Sequence, residues 1–295
     1  MRVAVTGASG LIGSALVANL ASDSHEVLRL VRRSPEGADE VQWSPMSGDI
    51  DLSRLDGVDA IVHLAGAGVG DHRWTDSYKT EIRDSRVLGT ETIARAAAEL
   101  SPRLSVLISQ SAIGYYGDRG DAPLDESASK GTGFLSDVIA DWEAAANPAR
   151  HAGVRVVHPR TGLVVSKNGG GWKPLFTQFK FGVGGRIGSG NQYWPFISLR
   201  DEIRALRFLI DNPAISGPVN VTAPEPITNR EATKALAQLL HRPAILPAPA
   251  FALKLALGEF SSEILSSSRV VPARLMESGF EWLDPTMPDA LRATA

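Results

Sequence analysis

The stretch Thr6-Gly7-Ala8-Ser9-Gly10-Leu11-Ile12-Gly13 constrains this chain more than any other. It follows a short β-branched run, Arg2–Thr6, and opens a segment that carries Leu16, Val17 and Leu20 on one helical face. A strand that enters a helix through glycines spaced three apart suits an anion. The first glycine permits a tight turn, the second lets backbone approach a pyrophosphate, and the third brings helix close to sheet. The helix start adds free N–H groups and the positive end of its dipole. A glycine-rich turn that merely links strand to helix is the alternative. Its placement between strand and helix at the head of the chain favours a dinucleotide site. Gly7, Ser9, Gly10, Leu11 and Ile12 are the candidate phosphate contacts.

The rest of the first half alternates strand-like and helix-like segments. Strands are expected at 27–31, 60–64, 105–109 and 154–157, and helices at 76–100 and 134–149. That alternation implies βαβ units and a parallel sheet covered on both faces. After Arg160 the pattern loosens. Residues 169–190 are rich in glycine and aromatics, 194–199 is strand-like, and Ser198-Leu199-Arg200-Asp201 resembles a capping box opening a helix to about Asp211. A short strand at 219–222 precedes a helix over 228–240, opened by Thr228 or Asn229. The tail from Arg242 holds six of the eighteen prolines and reads as a separate small helical unit.

In a fold of this kind an acidic residue about 20 positions beyond the loop usually holds the adenosine ribose. That place here reads Leu30-Val31-Arg32-Arg33-Ser34, with no carboxylate. The guanidiniums of Arg32 and Arg33 suit a 2′-phosphate or stacking on adenine, which favours NADP(H) over NAD(H). A solvated basic turn is the alternative.

Composition removes several function classes. The 295 residues are 43% hydrophobic, with 33 Asp plus Glu against 30 Lys plus Arg and a net charge of −3. No global basic field points to nucleic acid or an anionic membrane. No cysteine is present, which excludes disulfides, thiolate catalysis and zinc–thiolate sites. The six histidines show no metal-ligand spacing, so no metal is expected, and His63 and His158 read as satisfied core residues. The start lacks the layout of a secretion signal, and the apolar stretch 244–257 is broken by prolines and too short to span a bilayer. A soluble cytoplasmic protein with a small-molecule substrate is expected, with neither nucleic acid nor membrane as partner. Its oligomeric state is left open.

With these residues in view, the chain resembles the short-chain dehydrogenase/reductase superfamily. Gly7, Gly10 and Gly13 match its loop. His63-Leu64-Ala65-Gly66 resembles the fourth-strand segment that passes along the cofactor. Residues Ser109-Gln110-Ser111-Ala112-Ile113-Gly114-Tyr115-Tyr116-Gly117 resemble the serine-bearing fifth strand and loop. Pro224-Glu225-Pro226-Ile227-Thr228-Asn229 resembles a passage in the extended, sugar-nucleotide epimerase branch. More narrowly, it is similar to the atypical epimerase-family, NADP-binding oxidoreductase-like proteins with a small C-terminal domain. The resemblance implies a doubly wound, parallel-sheet Rossmann fold (α/β) with a smaller, mostly helical C-terminal part on the substrate side. Residues 1–165, rejoined by about 193–225, would bind NADP(H); 166–192 and 226–295 would form the substrate side.

Ordinary members of the superfamily relay a proton through a serine, a tyrosine and a lysine four residues after it. Ser111 matches the serine, but no Tyr-x-x-x-Lys occurs anywhere in the chain. Arg86 stands where an asparagine is expected. Tyr116 is the nearest substitute proton donor, with an aromatic packed under the loop as its alternative. Asp118 and Glu126 are nearby carboxylates that read more readily as solvated loop charges. Glu81 is placed to touch the cofactor ribose, or is a surface helical charge. Arg160, at the end of a strand, lies beside the nicotinamide end or forms an ion pair at the core rim. Leu64, Ala65, Gly66 and Ser109 complete the candidate cofactor wall. Arg73, Trp74, Arg186, Gln192, Tyr193 and Trp194 sketch a substrate pocket for a planar or anionic ligand, or pack a lid. Gly182, Gly184, Gly185, Gly188 and Gly190 suggest a mobile loop over it. An NADP(H)-dependent oxidoreductase or epimerase-like enzyme is the first expectation, and a non-catalytic NADP-binding sensor the second.

Overall fold

The computed structural model describes residues 1–294. In chain order, the main sheet is built from β1 (Arg2–Thr6), β2 (Glu26–Val31), β3 (Glu40–Gln42), β4 (Ala60–His63), β5 (Val106–Ser109), β6 (Ser111–Ala112), β8 (Arg155–Thr161) and β11 (Gly217–Val221). The short strands β7 (Pro123–Leu124), β9 (Leu163–Val165), β10 (Phe196–Ser198) and β12 (Arg269–Val270) form two small pairs, β9 with β10 and β7 with β12. The long helices are α1 (Leu11–Ser22), α2 (Asp76–Glu99), α3 (Phe134–Ala144), α5 (Trp172–Lys180), α6 (Leu199–Asp211) and α7 (Asn229–Leu240). Shorter ones are α4 (Asn147–His151), α8 (Ala250–Leu257), α9 (Ser261–Leu265), α10 (Ala273–Glu277) and α11 (Met287–Arg292).

The main sheet runs in the order β11-β8-β5-β4-β1-β2-β3, with β6 continuing beside β8. Every pairing in it is parallel. The chain leaves β1 toward β2 on one side and resumes at β4 on the other, so the winding reverses between β1 and β4. Crevices at such a reversal, beyond the carboxyl ends of the strands, are where ligands bind in open α/β sheets.

Alternation along each strand fills two cores. Val3, Val5, Val62 and Ile108 face the cluster that holds Leu16 and Leu20 of α1 and Leu206 and Leu209 of α6. Ala4, Ile61 and Leu107 face the opposite cluster, with Ile93, Ala94 and Ala97 of α2. Each fully buried leucine or isoleucine contributes about 1.5–3 kcal/mol of transfer free energy, which holds both helical layers to the sheet.

Three sequence expectations change here. The 134–149 helix is two helices, α3 and α4, because the second starts afresh at Asn147-Pro148. The glycine-rich 169–190 stretch contains α5, whose Trp172, Phe176 and Phe179 pack against Phe196 and Leu236. The tail is not set apart: Leu275 and Phe280 join Val219 in the first core, and Met287 and Leu291 join the cluster around α5 and α7.

Candidate functional site at the carboxyl edge of the sheet

Thr6, His63 and Ser109 end β1, β4 and β5 side by side in register. The buried Thr6 hydroxyl ties the first two together. It accepts hydrogen bonds from the backbone N–H of Leu64 (3.0 Å) and Ala65 (3.2 Å) and lies 2.8 Å from His63 Nδ1. With two donors already on the oxygen, its own proton goes to Nδ1, and the imidazole carries its hydrogen on Nε2. Burial pushes the His63 pKa down to about 3, so the ring is neutral. Among the described residues its Nε2 has no hydrogen-bond partner, a departure from the satisfied core histidine expected from sequence. His158 is satisfied, with Nδ1 3.3 Å from the Ser109 carbonyl and Nε2 3.2 Å from Arg150.

The glycine loop depends on two close approaches. At Gly7, φ is +66° and a Cβ would stand 2.9 Å from the Leu64 carbonyl. A Cβ at Gly13 would lie 2.1 Å from the Gly7 carbonyl oxygen, so the first turn of α1 sits directly on the loop. Gly10 is the N-cap of α1, and no side chain caps that end. The N–H groups of Leu11 and Ile12 in the first turn have no helical acceptor, which leaves a donor cluster at the sheet's carboxyl edge. Ser9 and Gly10 are exposed there, Leu11 and Ile12 half-buried. These residues fit a bound pyrophosphate.

Beyond β2 the two arginines separate. Arg33 makes a bidentate pair with Glu40 of β3, both bonds 2.7 Å. That contact holds the Glu40 carboxyl down at about 2 and raises Arg33. Among the described residues Arg32 makes no ion pair or side-chain hydrogen bond, and it is exposed. Glu40 is the carboxylate that the reading of 30–34 did not find. It lies one strand further on and is committed to Arg33.

Ser111 and the helix facing it carry the main surprise. The Ser111 hydroxyl donates to Glu143 Oε1 at 2.6 Å. Glu143 is held by Arg160 through both guanidinium arms, Nε and Nη2, at 2.8 Å each. Burial works against both charges. The Arg160 guanidinium nevertheless holds Glu143 below the usual carboxylate range, and Glu143 holds Arg160 above the usual arginine range. Arg160 also donates to the Tyr116 hydroxyl (3.1 Å), which donates to Asn220 Oδ1 (2.7 Å), and it lies 3.5 Å over the Tyr115 ring. Ile139 and Leu135, one and two turns before Glu143, press on Gly114. The face of α3 turned toward this loop therefore carries Leu135, Ile139 and one hydroxyl before Glu143, that of Ser136, which donates to the Gly114 carbonyl at 2.9 Å.

This geometry corrects several sequence expectations. Tyr116 is fully buried and bonded on both sides, with its pKa pushed up by burial, so it packs under the loop rather than meeting a ligand. Arg160 is 3% exposed and forms the ion pair at the core rim. Glu126 is no solvated loop charge: it accepts from the backbone N–H of Asn220 and Arg274. Asp118 accepts from the N–H of Ser267. Glu81 is exposed on α2, Gly66 is exposed at the loop, and Leu64 and Ala65 are half-buried along it. Ser109 is buried, its hydroxyl without a partner among the described residues. Arg86 lies against Gly66 and over Trp142 at 5.1 Å, and burial lowers its pKa to about 10.

The pocket sketch also changes. Trp74 is buried between Phe134 and Phe260, and Trp194 against Trp172. Gln192 is buried and donates to the Ile187 carbonyl. Only Arg73 and Arg186 of that set are exposed, and Arg186 lines a groove on α7. The 182–190 segment is pinned: Ile187 N–H donates to Asn229 Oδ1, Gly188 N–H to the Ala248 carbonyl, and the Gly190 carbonyl accepts from Arg230 N–H. That is not a free lid. Among the described residues no group of three or more His, Asp or Glu side chains is arranged for a metal, and no helix is long and apolar enough to cross a membrane.

A parallel sheet with reversed winding, an uncapped helix start at the reversal and a glycine loop under it define a Rossmann-type α/β protein. The chain belongs to the NAD dependent epimerase/dehydratase family, whose model matches residues 3–222. A second model, described as a domain of unknown function, matches residues 248–294. An epimerase family protein of Mycobacterium leprae is 45% identical over 290 residues, covering 98% of this chain and 94% of its own. A chloroplastic homologue of the epimerase family protein SDR39U1 in Arabidopsis thaliana is 36% identical, covering 99% of this chain and 86% of its own. The crystal structure of human SDR39U1 (isoform 2) with NADPH superposes with a TM-score of 0.90 at 29% identity, covering 100% of this chain and 99% of that one.

Proposed function

We propose that this protein binds NADP(H) and acts as an oxidoreductase or epimerase-like enzyme on a small organic molecule. The observation that carries the reading is the pairing of an uncapped α1 start with an unpartnered Arg32 at the end of β2. In this reading Gly7, Ser9, Gly10, Leu11 and Ile12 hold the pyrophosphate, and Leu64, Ala65 and Gly66 wall the cofactor. Arg32 takes the 2′-phosphate, while Arg33 serves by anchoring the β2 end to Glu40. The human relative crystallised with NADPH supports the choice of cofactor. Bound NADP(H) would supply or accept a hydride. Residues 1–165 with about 193–225 form the cofactor side of the proposal, and 166–192 with 226–295 the substrate side. A cytoplasmic location belongs to the same reading.

Ser111 has one hydrogen, and it goes to Glu143. Toward any further partner it offers lone pairs. Ser111 is 1% exposed, and Arg160 holds Glu143 below the usual carboxylate range, away from the pKa near working pH that suits a general base. The pair therefore holds β6 to α3 and favours neither direction of hydride transfer.

A second reading, NADP(H) binding without turnover, is favoured by one observation. The α3 face before Glu143 presents Leu135 and Ile139, neither of which moves protons, and Ser136, whose hydroxyl is tied to the Gly114 carbonyl. A broad alcohol, carbonyl and quinone screen followed by NADPH absorbance separates the two. Turnover of any compound in it supports the enzyme, and tight NADPH binding with no turnover supports the sensor. The cofactor assignment is tested by Arg32→Ala. Calorimetry should show NADPH binding weakened by about 1.5–3 kcal/mol, the range for hydrogen bonds to charged groups, with NADH scarcely changed. Equal losses for both cofactors would remove Arg32 from the site.

A further inference from the structure

The chain is net negative, yet its carboxylates are absent from two long stretches. No Asp or Glu occurs between Glu143 and Asp201, or between Glu231 and Glu259. The fold brings parts of these stretches side by side. Leu246 N–H donates to the Gly184 carbonyl, Ala248 N–H donates to the Arg186 carbonyl, and Ile187 bridges Ala248. Helix α8 follows at once, capped by Pro249.

The resulting face is both apolar and basic. Phe181 is 78% exposed, Ile245 68%, Phe251 75% and Leu255 80%, with Val183 and Leu246 about half exposed beside them. Phe251 and Leu255 stand one turn apart on α8, a helix of apolar composition in which no residue is buried. Ile245 also lines an open groove of about 820 Å³ whose walls carry Arg186, Arg230, Lys234, His241 and Arg242. Lys180 and Lys254 flank the apolar side chains. Among the described residues none of these six lysines and arginines makes an ion pair, whereas 13 of the other 24 do.

An exposed apolar patch of this kind marks an interaction surface. Its charge selects the partner. A second copy docked by two-fold symmetry would set this face against itself, bringing unpaired cations of one sign together. The occupant must carry negative charge and also admit aliphatic side chains. Nucleic acid offers the first without the second, because Ile245, Leu246 and Leu255 find nothing to bury against along a phosphate backbone. An anionic bilayer offers both, with headgroups for Arg and Lys and the acyl boundary for the apolar residues. We propose that the face formed by 180–187 and 242–257 seats this protein on an anionic phospholipid surface, with Phe251 and Leu255 inserted and Arg186, Arg242 and Lys254 on the headgroups. Such docking spans nothing. It escapes an argument from net charge because 180–187 and 242–257 contain no carboxylate, and Glu259, just beyond α8, is paired with Lys79.

Sedimentation of the full chain with lipid vesicles tests this. Vesicles of phosphatidylcholine with about one-third phosphatidylglycerol should retain the protein, and pure phosphatidylcholine should retain at least tenfold less. Phe251→Asp with Leu255→Asp should lower partitioning at least tenfold without changing the circular dichroism spectrum, since both side chains are in solvent. Arg242→Glu with Lys254→Glu should do the same. No retention on anionic vesicles, equal retention on neutral ones, or unchanged retention of the double variants would each overturn the proposal. So would light scattering that shows a dimer dispersed by the Phe251 and Leu255 substitutions.

Discussion

Replacing Arg160 with methionine is expected to destabilise the fold by about 3–5 kcal/mol, the cost of removing one partner from a buried ion pair. Methionine fills the volume of the aliphatic stem, so packing loss is small. What remains is the Glu143 carboxylate, largely enclosed, with only the Ser111 hydroxyl donating to it. Without the guanidinium, burial, the largest influence on Glu143, raises its pKa against the weaker pull of the Ser111 hydrogen bond. The destabilisation should therefore be larger at pH 8 than at pH 5, where the carboxyl takes up a proton and the charge disappears. Urea titrations at the two pH values measure this. Adding Glu143→Leu to Arg160→Met removes the stranded charge and should recover most of the loss. If the double variant is as unstable as the single one, the loss lies in Arg160's contacts with Tyr115 and Tyr116 rather than in the pair.

That pair also shows where sequence stops being informative. The β1 strand, the glycine loop and α1 are legible because each is a local pattern. An unbroken apolar strand, a fixed glycine spacing and a helical face all fall within 22 residues. Helix α2 is legible for the same reason, and α7 more so, since Thr228 and Glu231 complete a capping box three residues apart. At α6 only half the device exists. Ser198 caps Asp201 N–H, but the Asp201 carboxylate turns to the backbone of Leu283 and Asp284, over 80 residues away. Ser111 and Glu143 are likewise 32 residues apart, and Tyr116 and Asn220 more than 100. No periodicity reports such partners. Tyr116 read as a candidate acid because it lies close to Ser111 in sequence, and its hydroxyl instead points to a strand added much later in the chain. Likewise the glycines of 169–190 masked α5, whose apolar face forms only because Phe196 and Leu236 arrive to cover it.

Glu202→Gln should stabilise the protein by about 3 kcal/mol at pH 7 and flatten its response to alkali. Glu202 lies in the first turn of α6, fully buried. Its Oε1 accepts from the Thr161 hydroxyl at 3.0 Å, Thr161 accepts from Gln110 Nε2 at 2.6 Å, and among the described residues Oε2 has no partner. Burial pushes its pKa up to about 8, so the folded protein carries the neutral acid. In the unfolded chain the same group ionises near 4.5. Between those values the folded state holds a proton that the unfolded state has lost, and stability falls by about 1.4 kcal/mol for each unit of rising pH. Glutamine reproduces the neutral acid's shape and its acceptor for Thr161, and has no proton to lose. His63 and His158 act with the opposite sign. Burial lowers them to about 3 and about 4, so below their unfolded value of 6.5 the unfolded chain gains protons that the folded chain refuses. Two histidines outweigh one glutamate between pH 4.5 and 6.5, and above that no histidine opposes the glutamate. Glu126 and Glu263, also raised by burial, act in the same direction as Glu202 from pH 4.5 upward. The wild-type protein should be most stable near pH 6.5 and weaken on both sides, whereas Glu202→Gln should keep its stability up to pH 8. Denaturant midpoints measured from pH 5 to 8 decide it: parallel curves for the two proteins would mean that Glu202 is ionised in the folded state.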